Sequence, residues 1–587
     1  MRNLKLTTDV CVVGGGLSGV CAAIAAARHG ADVVLVHDRP VLGGNASSEI
    51  RMWICGAQGT EDHFHPDMLE TGIIEEIRLK NMYRNPYGNW SIWDSILYEM
   101  IWAESKIKLM ANCTCMDGEM EGARLKSIKA WQMTTETRLQ VDAELFIDCS
   151  GDGILIPLTG AEHRIGREAA GEFGEDIDLQ VADKKTMGMS CLLQTREMDR
   201  PRRYIAPDWA NVYETDADLN NRQHSMKSHN FWWLELGGDR DSIHDAEEIK
   251  DELLKTSFGI WDHIKNRDEK HGSENWQLEW AGFLPGKRES RRYIGDYVLT
   301  HTDVRNEGRF DDLIAYGGWA MDDHPPAGFR HEGAPTLMHE APAPYGIPYR
   351  SLYSKNIENL MCAGRNISAT HMALSSTRVM ATCSLIGQAA GTAAAIAVAG
   401  GLTPREVGQQ KIGELKQALM QDDCYLPWNV REVSELMKAA VLSASEGDAE
   451  ALRDGVSRPV GGVSHGWTAK AGAQVTAEWE LVMTVSQIRL VFDSDLNRGT
   501  FGKKIAVNMP CRYTQEMHEQ APPPSLVKAF HVDVLTESGE WESVWVEKNN
   551  IQRHVEFSLD RMARAVRLTL DETWGDDAIR VFEWDVC

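Results

Sequence analysis

Four polar side chains in the sequence are of types that transfer protons or bind polar molecules. His371 lies in NISATHMALSS, and its imidazole could act as a general acid or base. Arg288 lies in GKRESRRYIGDY and could bind a carboxylate, a sulfate or sugar hydroxyls through two parallel hydrogen bonds. Asp322 and His324 lie in WAMDDHPP, where an acid–imidazole pair beside Trp319 suits a polyol. Each group also has a purely structural interpretation, as a loop brace or a surface ion pair.

The sequence predicts no metal site. His63 and His65, with Asp62 and Asp67, have a spacing that could ligate a metal, but no flanking pattern supports one, so a solvated loop is preferred. Cys55 in WICGAQG has no nearby partner thiol, so packing is its default role. The twelve cysteines contain no CxxC pair and indicate a reducing compartment.

The elements that would position these groups begin near the N-terminus. DVCVVGGGLSGVCAAIAAARHGADVVLVHD predicts a short strand, an Ala-rich helix that Gly30 ends, and a second β-branched strand. Gly14, Gly16 and Gly19 form GxGxxG, which allows a tight turn, close approach of a pyrophosphate, and close packing of helix on strand. The helix N-terminus would bind the phosphates, so the stretch predicts a dinucleotide site.

The ribose contact is left open between two residues. The motif expects an acid at the end of the second strand, about twenty residues after the glycines. His37 stands at that place and Asp38 follows it, so either one could bind the ribose.

Three motifs together favour a flavin over a nicotinamide dinucleotide. DRPVLGGNASSEIRM carries a second glycine pair that is common where a flavin is bound. AELFIDCSGDG resembles the strand and loop that return the chain to a flavin cofactor, and NIENLMCAGRNISATHMALSS resembles the C-terminal flavin motif of two-dinucleotide-type flavoproteins. The predicted FAD-binding residues are Gly14, Gly16, Leu17, Ser18, Gly19, His37, Asp38, Arg39, Gly43, Gly44, Asn45, Ser47, Cys115, Gly151, Asp152, Gly364, Arg365 and Ser376.

The same motifs, together with GKRESRRYIGDYVLTHTDV, GGWAMDDHPP and SSTRVMATC, resemble the bacterial FAD-dependent oxidoreductase family, which is distantly related to succinate dehydrogenase and fumarate reductase flavoproteins. The resemblance covers about the first 440 residues. It implies a flavin fold and redox chemistry and supplies no substrate. The histidine pattern for covalent flavin attachment in fumarate reductases is not visible, so we expect noncovalent FAD.

The predicted fold class is a Rossmann-like α/β FAD-binding domain with an inserted α+β substrate domain and a C-terminal all-β jelly-roll sandwich. The predicted boundaries are 1–171 and 343–431 for the FAD-binding domain, 172–342 for the substrate or cap domain, and 432–587 for the sandwich. Period-two runs such as VTAEWELV and SQIRLVFDSDL predict the sandwich, which resembles galactose-binding, discoidin-like modules. Structural bracing is preferred to sugar binding as its role.

Charge and composition limit the kinds of partner that the sequence predicts. The net charge of −26 argues against nucleic acid and anionic membranes. The uncharged stretch at 379–399 is long enough to span a bilayer, but its Ala, Gly, Thr and Ser content predicts a tightly packed internal helix. Only MRNLKLTT precedes the first predicted strand, so we expect no signal peptide and a cytoplasmic protein. Homo-oligomerisation is compatible with the sequence, which does not identify the electron acceptor.

These observations predict an FAD-dependent oxidoreductase that acts on a small polar organic substrate, such as a sugar or sugar derivative, by hydride transfer. His371 would take the hydroxyl proton as the substrate loses its hydride. Two other functions remain open: a flavin monooxygenase, and a nonenzymatic carbohydrate-binding protein with structural FAD.

Overall fold

The computed structural model describes residues 1–59, 63–177, 179–220, 222–224, 226, 231–268, 272–498 and 519–587 of the chain. The elements of residues 1–171 are β1 (Arg2–Val13), α1 (Leu17–Arg28), β2 (Val33–Val36), α2 (Ile73–Arg84), α3 (Trp90–Trp102), β3 (Ile107–Met110), β4 (Cys113–Glu121), β5 (Arg124–Gln132), β6 (Thr137–Asp148), α4 (Leu155–Thr159) and β7 (His163–Arg164). The elements of residues 172–342, called the cap segment below, are β8 (Met189–Ser190), β9 (Leu193–Glu197), β10 (Glu235–Leu236), α5 (Ala246–Asn266), β11 (Trp276–Ala281), β12 (Gly286–Lys287), β13 (Arg292–Tyr293), α6 (His301–Arg305), β14 (Leu313–Gly317), β15 (Met321–Asp323) and β16 (Leu337–His339).

The rest of the chain first returns to helices and then becomes almost entirely β. The elements of residues 343–431 are β17 (Tyr345–Pro348), β18 (Leu360–Cys362), α7 (His371–Thr377), α8 (Met380–Gly400), α9 (Pro404–Gln410) and α10 (Ile412–Gln421). Those of residues 432–587, called the C-terminal segment below, are α11 (Glu435–Ala439), β19 (Val441–Ala444), β20 (Trp467–Lys470), β21 (Gln474–Phe492), β22 (Val527–Leu535), β23 (Trp541–Glu547), β24 (His554–Thr573) and β25 (Ala578–Val586).

A Rossmann-like sheet brings the three predicted flavin motifs to one edge. Its strand order is β3-β2-β1-β6-β5-β4, and β18 pairs with β6. The pairings β3–β2, β2–β1, β1–β6 and β6–β18 are parallel, so the carboxyl ends of these strands lie on the same side. Ligands of open α/β sheets bind at that edge. The predicted fold class is confirmed here.

The uncharged helix α8 packs inside the protein. By length and composition it qualifies as a membrane span, but 78% of its apolar window is buried. It crosses α1 so closely that a Cβ added to Gly387 would lie 2.1 Å from the carbonyl oxygen of Ser18, and one added to Gly391 would lie 2.1 Å from that of Ala22. Glycine at these two positions therefore lets the helix backbones touch, as the sequence predicts for an internal helix.

The C-terminal segment forms an antiparallel β-structure with the strand order β20-β25-β21-β24-β22-β23, and β19 pairs with β21. The long strands β21 and β24 pair along their lengths with two register shifts, and such irregularities bend a sheet. Alternate residues of these strands fill a core of their own. The predicted all-β C-terminal region is confirmed.

Buried ion pairs and hydrogen bonds join this sandwich to the rest of the protein. Arg458 is fully buried and donates to the carbonyl oxygens of Asp67, at 2.8 Å, and Leu69, at 3.1 Å. The buried Arg553 guanidinium donates to Asp423 at 2.8 Å. Leu79 of α2 is part of the sandwich core. The sandwich is therefore docked through desolvated contacts, in agreement with a bracing role.

Candidate flavin site and adjoining charge cluster

The glycine loop after β1 is shaped by contacts that exclude side chains. Gly14 has φ +106°, and a Cβ there would lie 2.4 Å from the Cys149 backbone. A Cβ on Gly19 would lie 1.9 Å from the Gly14 carbonyl oxygen. Gly16 is the N-cap of α1 and makes no side-chain cap hydrogen bond. The buried Leu17 and Ser18 form the first turn of the helix, whose N–H groups suit an anion.

The second glycine pair lies beside the first loop. Gly43, with φ +106°, donates its N–H to the Gly15 carbonyl over 2.8 Å, and Gly43 and Gly16 form a parallel bridge. A Cβ added to Gly16 would meet only the Cα of Gly44, at 3.9 Å, which is ordinary van der Waals contact. Gly16 therefore faces open space between the two glycine segments, where the backbone can approach a diphosphate.

The two candidates for the ribose contact differ in how they are engaged. His37 is buried; its Nδ1 accepts the Gly15 N–H over 3.0 Å, and its Nε2 lies 2.9 Å from the carbonyl oxygen of Val41. Burial lowers the pKa of His37, which favours the neutral tautomer that these partners require. The carboxylate of Asp38 is exposed at the same end of β2. Both ring nitrogens of His37 are used inside the protein, so Asp38 is the better placed ribose ligand.

A charged group lies at the ends of the neighbouring strands. Asp152, in the loop after β6, accepts from Arg365 and from Lys287, each over 2.6 Å. Burial would raise the pKa of Asp152, but the two cations outweigh it and lower that pKa to about 2. A Cβ on Gly151 would lie 3.2 Å from the Arg365 guanidinium. The second and third predicted motifs therefore meet here.

The chain before Arg365 closes the edge of the sheet. Gly364 has φ +102°, and a Cβ there would lie 3.5 Å from Ser18 Oγ and 3.9 Å from Asn366 Oδ1. Asn366 Oδ1 is buried and has no hydrogen-bond partner among the described residues. A buried polar atom without a partner is costly, and a polar ligand at this edge would satisfy it. The open cleft at Gly16 and this amide oxygen fit an elongated polar dinucleotide such as FAD.

The other predicted FAD ligands differ in their burial and in their hydrogen-bond partners. Arg39 donates twice to Glu49, at 2.9 and 2.6 Å. Asn45 donates to the Lys287 carbonyl over 3.1 Å, and Ser47 is buried in the turn that follows. Ser376 is buried and lies 2.5 Å from the Tyr345 hydroxyl. Cys115 is buried in β4, and burial raises its thiol pKa to about 12.

His371 stands at the start of α7 between two carboxylates. Its Nδ1 lies 2.8 Å from Glu289 and its Nε2 lies 3.0 Å from Asp323. Burial would lower the pKa of His371, but the two carboxylates outweigh it and raise that pKa to about 10. The ring is therefore an imidazolium at neutral pH. This arrangement does not suit the general base that the sequence predicts, because both nitrogens donate and no lone pair is left to accept a proton.

Arg288 and His324 share a carboxylate that sequence reasoning did not identify. Glu235 lies 2.6 Å from Nδ1 of His324 and 3.3 Å from Nη1 of Arg288. Arg288 also donates to Ser190 over 2.8 Å and to the Trp232 carbonyl over 2.9 Å. Arg288 is thus buried and fully engaged, so the structure does not present it to a substrate as predicted.

Asp322 completes the predicted pair with His324. Its Oδ2 lies 3.3 Å from Nε2 of His324 and 3.3 Å from Arg378. Burial opposes the charge of His324, but Glu235 and Asp322 outweigh it and raise the pKa of this imidazole. Both ring nitrogens of each histidine of the site therefore face carboxylates, to which they can donate.

These groups form one charge cluster between the cap segment and α7, because Arg288 precedes Glu289 and Asp323 lies between Asp322 and His324. The cluster holds five basic and five acidic side chains, so their formal charges cancel when all are ionised. The members of this cluster are Arg288, Arg292, His324, His371 and Arg378, with Glu168, Glu235, Glu289, Asp322 and Asp323. The Asp323 side chain is 17% exposed, more than any of the other nine. Access from solvent is therefore best at the contact between His371 and Asp323.

The family of the chain is shown by a match that spans these motifs. The model for FAD dependent oxidoreductases matches residues 9–419. The chain belongs to this family. A search of curated proteins finds no match.

Solved structures with some similarity fall into two groups. The family 32 carbohydrate-binding module of Streptococcus pneumoniae EndoD is 17% identical, with a TM-score of 0.20, over 26% of this chain and 99% of that one. The corresponding module of Clostridium perfringens NanJ, solved with galactose, is 10% identical, with a TM-score of 0.19, over 26% and 97%. A geranylgeranyl bacteriochlorophyll reductase-like protein from Thermoplasma acidophilum is 12% identical, with a TM-score of 0.32, over 71% and 86%. At these TM-scores the similarities carry no functional argument.

Sequence reasoning missed the carboxylates that decide the state of both histidines. Glu289 directly follows Arg288, and Asp323 directly follows Asp322, so each lay within a quoted motif. Glu235 belongs to FWWLEL, where only its apolar surroundings marked it as buried. An acid inside an apolar run is the signal that could have been used, because such an acid requires a cationic partner.

The other candidates lie apart from this cluster. His63 and His65 line a cavity of about 750 Å³ with Arg305 and His339. Asp67 accepts from Asn497 over 2.7 Å in the C-terminal segment, and Asp62 lies outside the described residues. Cys55 accepts at its carbonyl from the Ala381 N–H, and burial raises its thiol pKa to about 12. A thiol in that state is unreactive, in line with a packing role.

Proposed function

We propose that the chain binds FAD noncovalently along the carboxyl edge of the parallel sheet and oxidises or reduces a small polar organic molecule, of the sugar or sugar-derivative class. The carrying observation is the convergence of the Gly14–Gly16 loop, the Gly43–Gly44 turn and the Gly364–Arg365 turn at that edge. FAD, when bound, supplies the two-electron hydride chemistry that protein side chains lack.

Different residues at this edge bind different parts of the cofactor. The N-terminus of α1 and the open face of Gly16 receive the diphosphate. Asp38 accepts from the ribose hydroxyls, while His37 holds the glycine loop through Gly15. Asp152 and Asn366 offer acceptor oxygens to the cofactor's hydroxyl-bearing stretch.

The charge cluster supports the substrate assignment. His371 donates from Nε2 to Asp323, and a substrate oxygen that takes the place of this carboxylate would receive the same hydrogen bond. A cationic donor at that oxygen stabilises the negative charge that develops there during hydride transfer. Because the surrounding charges already balance, the cluster favours a neutral molecule rich in hydroxyls over a multiply charged one.

The test combines cofactor analysis with anaerobic reduction. Purified protein should show a flavin absorbance spectrum, and acid precipitation should release FAD intact. Under anaerobic conditions a panel of sugars, polyols and sugar acids should contain compounds that bleach the flavin. Protein that binds no FAD after reconstitution would refute the proposal. It would also be refuted if no polar metabolite reduced the bound FAD and none reoxidised the reduced FAD.

A variant pair locates the chemistry. His371→Gln should retain FAD and slow its reduction by about 100-fold or more, the effect expected when a donor to a developing negative charge is lost. His331→Gln, at a partly exposed position of the cap segment, should be reduced at the wild-type rate. Equal rates in the two variants would remove His371 from the site.

A further inference from the structure

A second polar cluster lies in the cap segment, apart from the residues assigned above. Asp216, His224, His263 and Asp268 each offer one donor atom, and these four atoms lie within 4.8 Å of one another. They come from three places: the turn at Asp216–Leu219, the loop that follows it, and the C-terminal end of α5. We propose that these four side chains form a zinc site that ties the end of α5 to the preceding loop.

The orientation of His263 suits a metal ligand. Its Nδ1 lies 2.9 Å from the Tyr213 carbonyl oxygen, which can only accept. A proton on Nδ1 would satisfy this carbonyl, and Nε2, which lies 3.2 Å from Asp216, would then be the atom that binds a metal. A backbone carbonyl that fixes the tautomer in this way is the usual outer partner of a metal-bound histidine.

Burial favours ligation by three of the four side chains. Asp268 is almost fully buried and lies 2.6 Å from Nδ1 of His224, and His224 and His263 are buried as well. Two imidazoles and two carboxylates that bind one divalent ion would form a site without net charge, which suits such a desolvated place.

The donor types favour zinc among divalent ions. Two imidazoles and two carboxylates are a four-donor set, the number that structural zinc sites use, whereas calcium and magnesium prefer six or more oxygen ligands. Zinc bonds of about 2.0–2.2 Å would place the donors about 3.4 Å from one another. The donor atoms now lie within 4.8 Å, and the shortest pair, His224 with Asp268, lies at 2.6 Å, so some pairs would close and this one would open. Side-chain rotation can supply such adjustments, since Asp216 is 37% exposed.

The location of the site determines which part of the chain a bound ion would hold in place. The chain leaves His224 and reaches Trp232 and Glu235, which contact Arg288 in the charge cluster. An ion at His224 would anchor the start of this stretch to α5. The sequence contains no signal for it, because His224 and His263 are thirty-nine positions apart with no paired spacing.

The experiment measures zinc on full-length FAD-loaded protein without a histidine tag. After chelator treatment, incubation with zinc and desalting, wild-type protein should carry about one zinc per chain by mass spectrometry of the metal. His263→Gln and Asp268→Asn should each lose at least nine-tenths of that zinc. His244→Gln removes an exposed histidine that pairs with Asp241 in the same segment, and it should bind zinc as wild type does.

Thermal unfolding supplies a second readout of zinc binding. Zinc should raise the Tm of wild-type protein and of His244→Gln, and it should leave that of Asp268→Asn unchanged. Flavin absorbance verifies that each variant is folded. The inference is overturned if zinc neither remains bound to wild-type protein nor changes its Tm. It is equally overturned if folded His263→Gln and Asp268→Asn retain wild-type zinc, or if His244→Gln loses it.

Discussion

Nδ1 of His37 accepts the backbone N–H of Gly15 over 3.0 Å. The residue at the end of β2 therefore positions the loop at the end of β1, so a single side chain couples the two neighbouring strand ends. In the proposed binding mode, a mutation of His37 would act on cofactor binding through the shape of the loop, whereas a mutation of Asp38 would remove a direct ribose contact.

Acid should release the cofactor through His37. Burial lowers its pKa in the folded protein, so the unfolded chain binds more protons, and this contribution to stability is lost as pH falls below about 6.5. Wild-type protein should bind FAD progressively more weakly as the pH falls below about 6.5, as measured by flavin fluorescence. His37→Gln should bind FAD more weakly at pH 7 and respond less to acid. An identical acid response in both proteins would contradict this assignment.

His371 should have the opposite pH dependence. Its folded pKa is raised to about 10, so its contribution to stability is complete below about pH 6.5 and is lost as pH rises towards 10. The Tm difference between wild type and His371→Gln should be largest near pH 6, where loss of a buried ionic partner costs about 3–5 kcal/mol. It should shrink steadily by pH 10. A difference that grows with pH would show that the ring is not the imidazolium described.

Two glycines of one loop should respond differently to the same substitution. Gly16→Ala adds a methyl group that meets only Gly44, at 3.9 Å, so apo-protein stability should barely change. The methyl group would face the diphosphate, and FAD affinity should fall at least about tenfold, which corresponds to about 1.4 kcal/mol. Gly19→Ala should instead destabilise the apo protein, because its Cβ would lie 1.9 Å from the Gly14 oxygen. Calorimetric titration with FAD and thermal unfolding distinguish the two effects.

The contact between α8 and α1 gives a test of the internal helix. Gly387→Ala should destabilise the protein by about 1–3 kcal/mol, because the new methyl group would lie 2.1 Å from the Ser18 carbonyl. Gly413→Ala in α10, where a Cβ meets nothing within 4 Å, should leave stability unchanged or raise it by up to about 1 kcal/mol. Denaturant unfolding measures both, and equal effects would rule out the tight crossing.

Removal of the sandwich should destabilise the whole protein. Arg458→Met would leave the Asp67 and Leu69 carbonyls without their buried donor and should destabilise the chain by about 1–3 kcal/mol. Arg567→Met, at a partly exposed pair with Asp533 within the sandwich, should cost less than about 1 kcal/mol. A chain cut after residue 431 should be unstable, because Arg431 pairs with Glu583 and Asp585 in buried contacts. A stable truncated flavoprotein would refute the bracing role.

The sequence predicted the parts of the fold that local patterns determine. The strand, glycine loop and helix at Gly14–Gly19 depend on short-range sterics, and the period-two runs after residue 432 depend on the alternation of β side chains. The state of His371 could not be predicted in this way. Its partner Glu289 lies 82 residues away in sequence, and only the packed cap brings the two together.

The same limit applies to the predicted ribose contact. The motif places an acid at position 37, and the histidine found there left two alternatives. The tautomer of His37 depends on the Gly15 amide and the Val41 carbonyl, which are fixed only when the second glycine segment folds back on the first. Long-range geometry thus favours Asp38 in the proposed binding mode, whereas sequence spacing did not distinguish the two residues.

The close crossing of α1 and α8 has a consequence for biosynthesis. The N-terminal βαβ unit leaves the ribosome first, but the glycine surface that covers Ser18 and Ala22 is encoded at positions 387 and 391. Until two-thirds of the chain has been translated, the apolar side of α1 is not covered by α8. The glycine loop at Gly14–Gly19, which leads into α1, then lacks this support. The nascent chain should therefore depend on chaperones during this interval, and cofactor loading should follow synthesis of α8 rather than accompany the first domain.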